Sequence, residues 1–252
     1  FRSGVKEAER QEDGWQAALV GNAVTLLTRI KRAAAGKTVV VLPAEKPKAV
    51  IQLTHGMMEH RGRYLPFMQF LSKHGYAVVI HDHRGHGDSV LDKSDLGYFY
   101  DGTAQEISRD LYKITKYCRA QFPGVPLYLV AHSMGTLVAR NYLKLHDEAV
   151  DKLVLMGPPS MRDGTKLLAA FVDQLAEIKG DRYRAVWANP IIYWFFNQKI
   201  PDAHRWNQWM CSREETLDKF DTDPKCGYTF TLNGYSNLLH QSISCYDPDG
   251  WQ

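Results

Sequence analysis

No apolar run in this chain approaches the roughly 18 residues that a membrane-spanning helix needs. The densest, IIYWFF at 191–196, is far shorter. The four cysteines, Cys118, Cys211, Cys226 and Cys245, include no C-x-x-C pair. They read as reduced thiols of a cytoplasmic protein rather than as a disulfide framework. An excess of charge of one sign is also lacking. The net charge is +3 over 252 residues, with no basic block, which excludes a nucleic-acid binder. Internal repeats and low-complexity tracts are absent. Position 1 is Phe and no secretory signal is legible, so the 252 residues are expected to be part of a longer gene product.

What is present is a globular composition, 44% hydrophobic and 23% charged, long enough for one large core with an inserted subdomain. Residues 1–14 are polar and are expected to be poorly ordered. VTLLTRI (24–30) and KTVVVL (37–42) are β-branched runs that suggest a hairpin. A helix over 15–30 competes, because Trp15, Leu19, Leu26 and Ile30 can share a face. Beyond them, continuous apolar runs at 48–56, 76–83, 126–133 and 150–159 read as buried strands. Between the strands lie helical patterns: 63–75 closed by Gly75, 103–124 opened by a Thr103 cap with Glu106 three residues on, and 135–146. Buried strands alternating with helices imply an α/β fold, a mostly parallel sheet covered on both faces. Residues 160–245 then become helical and aromatic-rich. The expected division is a core over 1–159, a helical cap over 160–245, and a return towards the core at 246–252.

Ser133 is the residue that carries chemistry. In AHSMG (131–135) it stands where a buried strand turns into a helix, the context of a G-x-S-x-G nucleophile elbow. Such a turn is strained and needs small residues two places before and after the serine; here they are Ala131 and Gly135. The first amides of the following helix have no internal partner and favour negative charge, so the Met134 N–H is one candidate oxyanion donor. A second comes from the loop LTHGMMEHRGRY (53–64), where His55-Gly56 ends a strand and the Met57 N–H follows. Two such amides lower an acyl-transfer barrier by several kcal/mol, on the order of 3 for one donor.

The stretches HGMMEHRGRY, HDHRGHGDS (81–89), LGYF (96–99) and AHSMG together resemble the α/β-hydrolase serine hydrolases of the monoacylglycerol lipase and lysophospholipase type. SREETLDKFDTDPKCGYTFT (212–231) resembles the cap of bacterial members. The resemblance implies hydrolysis of fatty-acyl esters through an acyl-serine, a small lipid-like substrate, no cofactor, and an oxyanion hole at Met57 and Met134. It also implies a triad acid and histidine on strands after the cap, in chain order Ser, acid, His. Both are expected to lie outside these 252 residues, so a chain strictly of 1–252 is expected to be poorly soluble or nearly inactive.

Within the chain, His146, His204 and His240 follow Ser133. Each is expected to pack locally rather than to serve as the base. His132 is expected to pack beneath the elbow. The clusters THGMMEH and HDHRGHGD fall one ligand short of an H-x-H-x-D-H zinc site, so no metal is expected. Among the cap residues, some of Trp187, Ile191, Ile192, Trp194, Phe195 and Phe196 should face the serine and line an acyl pocket. The rival readings are a non-catalytic binding protein of the same fold, a zinc hydrolase, and a prolyl-type aminopeptidase.

Overall fold

The computed structural model describes residues 15–20, 23–30, 37–42, 44, 46–100 and 102–251; the polar segment 1–14 lies outside them. A seven-stranded sheet runs in the order β1-β2-β3-β5-β4-β6-β7. Its strands are β1 (Trp15–Val20), β2 (Ala23–Ile30), β3 (Lys37–Leu42), β4 (Val50–Thr54), β5 (Ala77–His81), β6 (Leu127–His132) and β7 (Lys152–Met156). The first three form an antiparallel meander, and β3 joins β5 antiparallel. β5, β4, β6 and β7 are parallel. The expected hairpin is therefore β2 with β3. The competing helix over 15–30 is incorrect: strand pairing of β2 on both sides places 15–20 and 23–30 in the sheet, overriding the helical spacing of four apolar residues.

The pleat sorts the core. Val50, Val79 and Leu127 pack with Ile114 and Cys118 of α2 (Gln105–Gln121) on one face. Ile51, Leu53, Val78 and Ile80 pack with Met68 of α1 (Leu65–Lys73) on the other. Alternate residues of one strand thus feed opposite layers, which is why the strands read as unbroken apolar runs. The buried Gln52 in mid-β4 is satisfied by the Leu111 carbonyl and the Thr115 hydroxyl of α2.

The expected Thr103 cap of α2 does not form. The helix starts at Gln105 without a side-chain cap, and Glu106 instead reaches Arg84 and Arg109. Charged partners within reach outcompete the backbone amide.

Beyond β7 the chain forms α4 (Thr165–Lys179), α5 (Asn189–Asn197), α6 (Glu214–Thr222) and α7 (Leu232–Tyr246). Thr231 caps α7 by accepting the Gly234 N–H, and Thr231 also holds the Gly97 carbonyl. α7 lies against α3 (Met134–His146): Asn141 donates to the Gln241 carbonyl at 2.8 Å, and Lys144 donates to the carbonyls of Ser244, Asp247 and Asp249. Among the described residues no helix is long and apolar enough to cross a membrane, and none of the four cysteines is in a disulfide.

Candidate active site

Ser133 sits at the junction of β6 and α3 with φ 50° and ψ −121°, a conformation that L side chains rarely adopt. Three contacts hold it there. Its N–H donates to the Met156 carbonyl of β7 at 2.9 Å. Its carbonyl accepts from the Thr136 N–H and the Thr136 hydroxyl. The smallness of the flanking residues follows from space. A Cβ on Gly135 would stand 2.6 Å from the carbonyl oxygens of Thr54 and His55, which are backbone and cannot yield. Ala131 is fully buried with its one methyl accommodated.

The loop after β4 reaches the same point. A Cβ on Gly56 would lie 3.2 Å from the Ser133 Cβ and 2.9 Å from Glu59 Oε1, so a side chain here would crowd the serine and push Glu59 from its bond with the loop. Met57 follows, and Met58 has φ 54°. Two of the four non-glycine positive-φ residues among those described are therefore Met58 and Ser133. Met134, the first residue of α3, has no intrahelical acceptor for its N–H. Backbone from two loops thus flanks the Ser133 side chain.

Glu59 ties this loop down, a role the sequence reading did not assign to it. Its Oε1 accepts the Gly56 N–H at 2.6 Å and the Tyr64 hydroxyl at 2.8 Å, and it pairs with Arg63. Burial favours the protonated acid, but the hydrogen bond from His132 and the charge of Arg63 outweigh it, holding the carboxyl down to about 2. His132 is not packed beneath the elbow as expected. Its side chain is 43% exposed, with Nδ1 3.1 Å from the Tyr64 hydroxyl and 3.3 Å from Glu59. The alternation of β6 sends it to the loop side.

Four of the five histidines of HDHRGHGD and THGMMEH, His55, His81, His83 and His86, form a buried cluster of tilted and edge-on rings behind the site, while His60 turns away to Asp223. His55 and His83 ring centroids are 4.5 Å apart, and those of His55 and His86 are 5.4 Å apart. His55 Nδ1 bonds the Gly56 carbonyl and Nε2 accepts the His83 N–H. Burial pushes His55 down to about 4, His86 down to about 3 and His83 well below the usual imidazole range. Asp82, between them, receives the Arg61 and Asp88 N–H groups. A Cβ on Gly87 would collide with that carboxylate, which explains the H-G-D ending of the motif.

The histidines after Ser133 are engaged elsewhere. His146 stacks on Tyr112 at 3.7 Å, His204 pairs with Glu214, and His240 bonds Asp173 at 2.8 Å. Next to Met57 and Met58 lies a cavity of about 20 Å³ lined by Ile192, Phe196, Trp206 and Phe220, room for roughly one water. Of the residues expected to form an acyl pocket, Ile192 and Phe196 line it. Trp187, Ile191 and Trp194 are each more than half exposed.

The sheet order and the strained strand–serine–helix turn define an α/β-hydrolase. The chain belongs to the hydrolase family described as serine aminopeptidase, S33, which matches residues 45–249. It is similar to the monoglyceride lipase of Rattus norvegicus, 32% identical over 133 residues that cover 51% of this chain and 42% of the rat protein. A protein described as probable lysophospholipase L2 of Haemophilus influenzae is 30% identical over 121 residues, covering 47% of this chain and 37% of that protein. These matches thus span less than half the length of either relative. Among solved structures, a thermostable carboxyl esterase from Bacillus coagulans in complex with glycerol shares the fold. Its TM-score is 0.77 at 22% identity, over 86% of this chain and 71% of that one.

Proposed function

We propose that this protein is a serine hydrolase of carboxylic esters, acting on fatty-acyl monoesters of the monoacylglycerol or lysophospholipid kind. The observation that carries the reading is Ser133 held at positive φ, with the Gly56 backbone against its Cβ. Ser133 Oγ attacks the ester carbonyl, and the N–H groups of Met57 and Met134 stabilise the oxyanion. The hydroxyl proton passes to a histidine base, which then protonates the leaving alcohol; water hydrolyses the acyl-serine. That histidine and its acid belong to the reading by resemblance alone. The segment 160–245 serves as a cap whose apolar residues hold the acyl chain. The names of the rat and Haemophilus relatives support the substrate class.

The test is a substrate panel on protein carrying this sequence: monoacylglycerols, lysophospholipids, acetate esters and aminoacyl arylamides. Medium-chain monoesters should be hydrolysed faster than acetate esters. Equal ester rates would contradict an acyl site in the cap, and preferential cleavage of the arylamides would replace the esterase reading with an aminopeptidase.

A further inference from the structure

We propose that His60, Asp223 and Cys226 form a binding site for one divalent cation of the zinc class. The site would clamp the turn after α6 to the loop after β4. One donor atom from each residue lies within 4.8 Å of the other two. A tetrahedral ion with bonds of about 2.0–2.3 Å holds its ligand atoms roughly 3–4 Å apart, so small side-chain adjustments suffice.

The turn is built to present two of the ligands together. Asp223-Pro224-Lys225-Cys226 closes with the Cys226 N–H on the Asp223 carbonyl at 2.9 Å, and Pro224 occupies the position a tight turn favours for proline. Gly227 follows at φ 65°, where a Cβ would meet Trp206 at 3.2 Å and Phe220 at 3.3 Å. The resulting D-x-x-C spacing matches the two-residue gap of zinc knuckles, with a carboxylate in place of one thiol. The Lys225 N–H holds Asp223 Oδ1 at 2.9 Å. This aims Oδ2 at His60 Nε2, 2.8 Å away.

The third ligand comes from the opposite side. His60 stands at the start of the short helical turn 61–64, its Nδ1 accepting the Gly62 N–H at 3.2 Å. Nε2 then carries the proton shared with Asp223, where the cation would sit. Coordination at Nε2 moves the ring proton to Nδ1, which keeps the imidazole neutral and gives up the long Gly62 N–H contact. Neighbouring cations are already neutralised, Arg63 by Glu59 and Lys225 by Asp88. The His60 and Asp223 side chains are 14% and 29% exposed, which leaves a path for the ion and a water as fourth ligand. Imidazole, thiolate and carboxylate together suit zinc or cobalt and not magnesium or calcium. The Gly227 N–H already donates to the Met58 carbonyl at 3.0 Å, so the ion would add a second tie between the same two segments.

The site stands independently of the esterase reading, and its readout needs no activity. Metal-stripped protein is titrated with Zn²⁺, Co²⁺ and Mg²⁺ while thermal stability and absorbance are followed. One Co²⁺ per chain should bind with a thiolate-to-cobalt band in the near ultraviolet. Zn²⁺ should raise Tm in a concentration-dependent manner, and Mg²⁺ should not. Cys226→Ser should remove the band, and Asp223→Asn should weaken Zn²⁺ binding at least tenfold. Absence of the band in the unmutated protein would overturn the proposal whatever the variants do. So would a Zn²⁺-induced rise in Tm that persists in both variants.

Discussion

The two glycines at Ser133 are the most exacting residues of the site. At Gly135 the obstacle to a side chain is the backbone of Thr54 and His55, which ties the helix after the serine directly to β4 and the loop that follows it. Gly135→Ala is expected to cost roughly 1–3 kcal/mol, as overpacking does, measured as a fall in urea midpoint. An unchanged midpoint would mean that the strand and helix are less close than described. Glycine at the second small position was legible from AHSMG, because the motif is a statement about backbone clearance. Glu59 was not legible in that role. Its partners Gly56 and Tyr64 are near in sequence, but His132 is 73 residues away, and only folding shows that one carboxylate gathers all three. The buried histidines give a pH dependence. Folded His55 and His86 have lowered pKa values, so the unfolded chain takes up protons that the native state refuses as pH falls below 6.5. For His55, held at about 4, this weakens folding by on the order of 3 kcal/mol between pH 6.5 and 4. Glu59 acts in a lower window. Its stabilising charge is fully present above the ordinary glutamate pKa and is lost as pH falls towards 2. Urea denaturation at pH 7.5 and pH 5 should show the loss; equal stabilities would contradict neutral buried imidazoles.

At the scale of elements, strands were easier to read than helix ends. β4 and β5 are wholly buried, and a strand covered on both faces has little choice but to be an apolar run. The opening of α2 was misread because a capping-box pattern is only a local preference, and Glu106 pairs instead with Arg109 one turn on, with Arg84 from the loop after β5 at 3.7 Å. β1 was not anticipated as a strand, its residues being read only within the competing helix, because pairing with β2 is decided between strands, not within one. α5 is where function should respond to sequence. Ile192 and Phe196 line a cavity of about 20 Å³ beside Met57, smaller than an acyl chain, so under the proposed ester chemistry α5 would shift to admit one. Ile192→Trp should therefore slow hydrolysis of long-chain esters several-fold while sparing acetate esters. Equal slowing of both would place the acyl path elsewhere.

Across the whole molecule, the sheet is unevenly covered. β4, β5 and the buried faces of α2 and α3 form a dense centre, whereas Leu153, Val154 and Met156 of β7 are 39%, 47% and 37% exposed. β7 is also the last strand of the described sheet, and an apolar strand at an edge is a template for association. Protein of this sequence should self-associate through β7, and Val154→Lys should reduce its sedimentation-derived mass. A monodisperse monomer of the unaltered polypeptide would contradict this. That the core would be α/β with a helical segment after β7 was legible from the alternation of patterns. How α7 returns across α3, through Asn141 with Gln241 and Lys144 with three carbonyls, was not, because these partners are about a hundred residues apart.

The account rests on Ser133 as a nucleophile presented by a strained turn between two oxyanion donors. Peptide mapping after treatment of the protein with a fluorophosphonate probe tests this most directly. The account predicts a single covalent adduct on Ser133, absent in Ser133→Ala. An adduct on another residue, or labelling that survives in that variant, would contradict it.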